Sequence, residues 1–449
     1  MVDYKYNLKL LLTIATVSAL LIGVYVGHHA DFFGPHHVER TRAAYAKDTD
    51  DIPPLLLRTS QCKTLLQTRS YWHENYTPGI VYYRPLSLTW FWIQYQIFGA
   101  NDFTGWISIS IVLHLIFCIV LGIFVFNLTQ SYCASLCTLI VFAGARSLLP
   151  IAGIMQLFSL AVDPPAMIAV ISWKDQPTII ADTLTLLSLI FVRQEKWLWG
   201  LLAALTSILF KESGWIAYPL AFSLLISTGR LKYIPIWVYA AAAVVIAIPL
   251  AARYTAGMGL FVQHPATHYG PAFYRYCDCT CGLYLSGLLD QRWPATILGT
   301  GLCLLLFRPG LSLTVRTAAV LVLAAIAGGL NSYLLGASYI VGLEQLLDPT
   351  LELRYVAYCI CFCFGLGQLI KDPLLLKAFG VLVMLSMIAA IPFVVVHQPN
   401  DHALHLCYAF QDASVGAIWA AFFRYIASTI DGYLTQRPVS LKAPLEGAA

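Results

Sequence analysis

Long apolar runs separated by short polar breaks dominate this chain. They predict membrane helices near 8–27, 105–127, 132–162, 177–192, 197–210, 214–228, 234–252, 294–307, 317–335, 355–370 and 378–396. About 20 residues at 1.5 Å rise cover roughly 30 Å, one hydrocarbon thickness. The first run has that length, and Val26-Gly27-His28 makes a poor cleavage site, so the first helix is expected to be retained. Between the first two runs lies a long polar stretch, 28–84. Within it, Leu55-Leu56-Leu57-Arg58 and Leu65-Leu66 predict a short helix lying in the interface. The segment Leu86–Phe98 is too short to span, and its Trp90, Phe91, Trp92, Tyr95 and Phe98 suit a helix at headgroup depth. The pattern predicts an all-α polytopic membrane protein with about 11 transmembrane helices and a large first outer loop bearing interfacial helices. The expected division is a membrane module over 1–252 that includes outer loop 28–104, a second membrane module over 253–397, and 398–449 as an outer tail or an additional helix. In a final span at 413–434, Arg424 would sit mid-helix. A central Arg costs about 2.5–3.5 kcal/mol on insertion, which favours the tail.

Composition sharpens this picture. Of 449 residues, 59% are hydrophobic and 11% are charged. Soluble domains carry about 25% charged residues, and a soluble chain this apolar would expose aggregating patches. A soluble class is excluded, and no nucleic-acid partner is expected. The formal net charge of +4 says less than its distribution. The short loops at 193–196, 230–232, 308–316 and 371–377 are basic, and with Lys5 and Lys9 they fall on one side of the predicted topology. The positive-inside rule makes that side cytoplasmic. Most carboxylates and histidines then lie on the other face, which is where chemistry is expected.

Several residues have the character that surface chemistry needs. Asp31 follows the first helix directly, where partial desolvation would raise a carboxylate toward a usable base; the plainer reading is a solvated loop residue. Arg84, in Tyr82-Tyr83-Arg84-Pro85-Leu86, suits bidentate phosphate binding or interfacial snorkelling. Lys174-Asp175 and Lys211-Glu212 occupy tight turns on the face that carries Asp31, either as phosphate contacts or as local ion pairs. Arg354-Tyr355, preceded by Glu352, opens a late span in the same way. His28, His29, His36 and His37 crowd the first loop and are candidate metal ligands, although no motif spacing joins them. The runs Cys277-Asp278-Cys279-Thr280-Cys281 and Cys359-Ile360-Cys361-Phe362-Cys363 lack the CxxC spacing of a zinc or redox site and read as packing cysteines or one disulfide. Asn75-Tyr76-Thr77 is a glycosylation sequon.

Taken in order, these features resemble the polytopic C-type glycosyltransferases that use a polyprenyl-phosphate sugar donor, the protein O-mannosyltransferase-like group in particular. The likeness rests on Asp31 after the first helix, Tyr82-Tyr83-Arg84-Pro85-Leu86, Phe98-Gly99 followed by His114, Trp173-Lys174-Asp175, Phe210-Lys211-Glu212-Ser213, and Arg354-Tyr355 with Tyr358. It covers roughly residues 1–370. Asp31 stands without the second adjacent acid that many members carry, and Lys174 occupies the place of their Arg.

The resemblance implies an inverting transferase. Asp31 would be the catalytic base, and Arg84, Lys174, Lys211 and Arg354 would bind the donor phosphate. Tyr83, Trp173, Glu212 and Tyr355 would contact substrate. The partners implied are a polyprenyl-phosphate sugar, an acceptor protein, glycan or lipid, and membrane lipid. No cofactor is required, and a divalent metal stays open. The expected location is a bacterial inner membrane or the endoplasmic reticulum membrane, with the site on the periplasmic or luminal side. A transporter or flippase, or a non-catalytic relative, is the rival reading.

Overall fold

The computed structural model describes residues 11–20, 22–23, 52–73, 82–100, 102–144, 175–256, 364–395 and 405–435. Among these residues all regular structure is helical. The helices are α1 (Leu11–Leu20), α2 (Ile52–Gln61), α3 (Pro85–Phe98), α4 (Phe103–Thr129), α5 (Tyr132–Leu139), α6 (Gln176–Arg193), α7 (Trp197–Phe210), α8 (Ala217–Ser227), α9 (Ile236–Thr255), α10 (Phe364–Lys371), α11 (Pro373–Val395) and α12 (His405–Thr435). Short 3₁₀ turns occupy Gln67–Trp72 and Glu212–Ile216, and a π turn, Ile140–Gly144, continues α5.

Local chemistry sets the boundaries. The Asp102 carboxylate accepts the Gly105 N–H at 3.0 Å and starts α4; Gln130 ends it in the left-handed conformation at φ 53°. Ser131 then caps α5 by accepting the Ala134 N–H at 3.2 Å. Pro85 and Pro177 stand in the first turns of α3 and α6, where a missing N–H costs nothing.

Among the described residues, three helices are long and apolar enough to cross a membrane: Thr104–Thr129, Ile236–Thr255 and His405–Thr429. A fourth arises if α10 and α11 form one span, although they meet at a 112° bend. The expected span at 105–127 is therefore α4, and that at 234–252 is α9. Those expected at 197–210 and 214–228 correspond to shorter helices, α7 and a 3₁₀ turn running into α8. The expected spans at 294–307 and 317–335 lie outside the described residues.

The end of the chain contains a helix, α12, and its frame differs from the 413–434 expectation. It begins at His405, so Arg424 lies well past its middle, where it reaches Asp372 at 2.8 Å. The hydropathy pattern hides this start because His405, Gln411, Asp412 and Ser414 precede the apolar stretch. The bundle buries His405, Gln411 and Ser414 instead of exposing them.

The main core joins α1, α4, α5, α6, α8, α10, α11 and α12. α12 lies inside it and α9 on its outside: 78% of the best α12 window is buried against 17% for α9. α12 approaches α5 closely at Gly416, where a Cβ would fall 2.5 Å from the Thr138 hydroxyl. A second, aromatic cluster joins α2, the 67–72 turn and α3 to Trp106 at the start of α4. The predicted helix at 86–98 is α3, which buries Leu88, Phe91 and Trp92 against protein; α2 covers Leu55–Arg58 but ends at Gln61, leaving Leu65-Leu66 in a turn.

Candidate functional site

Segments far apart in sequence meet at one end of the bundle. The C-terminus of α7, the N-termini of α3 and α6 and the last turn of α9 all arrive there. The carboxylate of Glu212 organises the meeting. One oxygen accepts the Tyr83 backbone N–H at 2.9 Å, and the other accepts Arg84 Nε–H at 2.6 Å, across 128 residues of sequence. Both side chains are about 15% exposed, so the pair is partly buried. The Arg84 guanidinium also lies 4.1 Å over the Tyr82 ring, an arrangement suited to a planar cation.

Lys211 precedes Glu212 in extended backbone at the end of α7. Its ammonium donates to the Thr178 hydroxyl on the first turns of α6. Burial lowers its pKa from the usual lysine value, and the neighbouring Arg84 charge lowers it further; Asp175, Asp182 and Glu212 pull it back up. Arg253, in the last turn of α9, is buried and acts on Glu212 electrostatically. Three cations thus share the region of one bidentate carboxylate, with Asp175 buried at the start of α6. Tyr83 sends its hydroxyl to the Trp72 carbonyl at 3.3 Å, and burial raises its pKa.

The local sequence explains how the turn holds this shape. Gly214 sits against α7 so closely that a Cβ would fall 2.4 Å from the Ser207 hydroxyl. Ser207 in turn donates to the Ala181 carbonyl at 2.8 Å and meets Thr185 at 3.1 Å, tying α7 to α6. Ser87 donates to the Phe210 carbonyl and fixes α3 to the same turn.

Beneath it lies Gln176, fully buried. Its carbonyl oxygen accepts from Trp90 Nε1 at 2.8 Å and Gln94 Nε2 at 2.6 Å. Its amide donates to the Trp106 carbonyl and the Ser110 hydroxyl, both at 2.9 Å. All four capacities of one amide are used, which locks α3, α4 and α6 in register.

Of the residues expected from sequence, Tyr83, Arg84, Lys211 and Glu212 come together here. Asp31, Trp173, Lys174, Arg354, Tyr355, His28, His29, His36 and His37 lie outside the described residues, as do both CxCxC runs. Glu212, expected to touch substrate, holds Tyr83 and Arg84. Arg253 and Gln176 escaped sequence reading: each reads as an ordinary residue at a helix end, and nothing local signals a long-range partner. Among the described residues, no group of three or more His, Cys, Asp or Glu is placed to hold a metal ion.

A second polar group lies deeper. Asp182, a turn beyond Thr178 on α6, meets His405 Nδ1 at 3.1 Å across 223 residues of sequence. The His405 ring packs 4.4 Å from Phe117 and 5.4 Å from His114 of α4, centroid to centroid. His114 and His405 are both 0% exposed, and Asp182 is 4% exposed.

No protein-family profile, curated protein or solved structure matches the chain.

Proposed function

We propose that this chain is a membrane glycosyltransferase that moves a sugar from a polyprenyl-phosphate carrier to an acceptor hydroxyl at the non-cytoplasmic face. The observation that carries this reading is the convergence of Arg84, Lys211 and Arg253 around the bidentate Glu212 carboxylate, next to long apolar helices. Fixed cations beside an apolar surface suit a ligand that is a phosphate at one end and a hydrocarbon at the other.

In this scheme the acceptor oxygen attacks the anomeric carbon and the bond from that carbon to the phosphate oxygen breaks. The lipid phosphate leaves with the electron pair. Asp31 takes the hydroxyl proton, and one displacement inverts the anomeric centre. Negative charge grows on the leaving phosphate, so prearranged cations lower the barrier. Glu212 keeps Arg84 in place and prevents the cations from repelling one another apart. Lys174 and Arg354 complete the phosphate set by resemblance. The basic residues Arg193, Lys196, Arg230 and Lys232 at the opposite ends of α6–α9 supply the orientation, cytoplasmic at that end.

The test uses purified protein in nanodiscs with several radiolabelled polyprenyl-phosphate sugars, with and without chelator. Transfer to acceptor, or release of polyprenyl phosphate, that disappears in Asp31→Asn and falls in Arg84→Ala is the expected result. A proton-coupled carrier is the second reading, favoured by the buried Asp182–His405 pair, since ionisable groups inside spans mark transport paths. Solute uptake into proteoliposomes that survives Asp31→Asn, with no transfer in nanodiscs, would decide for it.

A further inference from the structure

The buried group formed by Asp182, His405 and His114 has no part in the scheme above. Its three side chains come from α6, α12 and α4, and all are shut away from solvent. Among the described residues neither ring nitrogen of His114 has a hydrogen-bond partner, and His405 Nε2 has none either. Polar atoms buried without partners are costly, so such atoms in a packed core need a reason. The group holds one carboxylate and two imidazoles, which is more proton-accepting capacity than its hydrogen bonds use.

We propose that Asp182, His405 and His114 form an internal proton-binding site, and that its occupancy is linked to anion binding at Lys211. The site can take a proton because its surroundings favour one positive charge. Asp182 lies against His405 Nδ1, and the Phe117 and Phe142 rings lie 4.4 and 5.5 Å from the His405 ring centroid. An imidazolium there gains an ion pair and two close aromatic neighbours. His114, stacked on Phe142 with ring planes 11° apart and 5.4 Å from His405, closes the other side of the site.

The link to the rim runs along α6. Thr178, which receives the Lys211 ammonium, is one helical turn from Asp182, roughly 6 Å of rise. Asp182 acts on Lys211 electrostatically at that range. When the inner site is empty, the Asp182 charge opposes an anion arriving at Lys211. When the proton is bound, the pair is neutral and that opposition disappears. Proton uptake and anion binding therefore favour each other, as linkage requires. Further titratable groups on the packed elements include Cys118 on α4, Cys133 and Cys137 on α5, Arg193 on α6, Tyr218 on α8, Lys377 on α11, and Cys407, Tyr408, Asp412 and Arg424 on α12. Thiol and phenol groups ordinarily stay uncharged below pH 8; among the carboxylates, Asp412 shares α12 with His405, and Asp175 and Glu212 act on Lys211.

The linkage half of the proposal rests on the phosphate-binding reading; the proton site itself does not. Two measurements separate them. The first is ¹⁵N NMR of histidine-labelled protein in nanodiscs. The expected result is that His405 changes protonation between about pH 5 and 8, and that Asp182→Asn abolishes this change while His405→Gln alters the His114 signal. A His405 signal that stays constant over that range in the wild type overturns the proton site. The second is binding of a polyprenyl-phosphate sugar, a phosphodiester whose own charge is constant in this range. Its affinity is expected to rise roughly five-fold or more from pH 8 to pH 5, and to lose that dependence in both Asp182→Asn and His405→Gln. An unchanged pH profile in both variants overturns the linkage. Complete failure to bind the lipid at any pH overturns the functional reading instead, and leaves the NMR result to decide the inner site alone.

Discussion

The rim cluster around Glu212 and the inner group around Asp182 each centre on one carboxylate, yet they are built for different guests. Glu212 holds Arg84 and interacts electrostatically with Lys211 and Arg253, and Asp175 also acts on Lys211. Asp182 meets one imidazole, backed by a second and by two phenylalanine rings. The first arrangement gathers guanidinium and ammonium groups at a partly open rim, which suits an anionic guest. The second is closed, and a proton is the guest that needs no room. The number and type of groups around a carboxylate, rather than the carboxylate itself, decide what it can do.

Breaking the rim cluster gives the largest effect. Glu212→Ala releases Tyr83 and Arg84 and leaves cations facing one another. Removing one partner of a buried pair costs about 3–5 kcal/mol; at the partial exposure seen here the expectation is about 2 kcal/mol. Thermal unfolding checks this, and sugar transfer is expected to fall about 100-fold or more. If transfer persists at the wild-type rate, Glu212 does not organise the site.

Gln176→Leu tests the floor beneath the rim. It leaves the Trp90 and Gln94 donors buried without their acceptor, at about 1–3 kcal/mol for each unsatisfied group. The expected outcome is a lower melting temperature, with the inner histidine NMR signals unchanged. Signals that shift along with the melting temperature would show that the two regions are one mechanical unit.

Lys211→Arg sharpens the comparison by pH. Burial favours the neutral lysine, so its folded pKa lies below that of the unfolded chain. The unfolded state then holds more protons across the window between those two values, and stability rises with pH there. Anion binding runs the other way, because it needs the ammonium and is lost as pH rises through the lowered value. Arginine stays charged, so the variant is expected to keep lipid-phosphate binding at alkaline pH where the wild type loses it. Equal alkaline losses in the two proteins, measured by lipid binding, would refute the role given to Lys211.

The smallest effect belongs to Arg230→Ala. Arg230 reaches Glu195 at 3.4 Å with both side chains well exposed, and such pairs contribute about 0–1 kcal/mol. A melting temperature close to the wild type is expected. The variant serves as a surface control for the other three.

The sequence made local elements plain and hid the pairings between them. The runs that became α4 and α9 stand out because their apolar stretches are long and unbroken. Arg84, Lys211 and Glu212 drew attention as charges at the ends of apolar segments, yet nothing in either segment shows that Glu212 grips Tyr83 and Arg84 across 128 residues. Asp182 and His114 looked like isolated polar residues in spans, and His405 looked like part of a tail. Their meeting depends on α12 threading the core, and the polar first turns of that helix mask it from a hydropathy window. A hydrophobic pattern reports which face of a helix is apolar; it does not report which polar residue waits on the facing helix.

The crossing at Gly416 carries a consequence for how this chain can change in length. Because the glycine lets backbone touch backbone at Thr138, α12 is pinned there, and His405 hangs from the pin about three turns away. Adding or removing one residue between them would swing the imidazole roughly 100° around the helix axis, off Asp182 and into apolar neighbours. Indels in that stretch are therefore quantised: only changes close to whole turns return His405 to the same bearing, and even those move it one pitch along the axis.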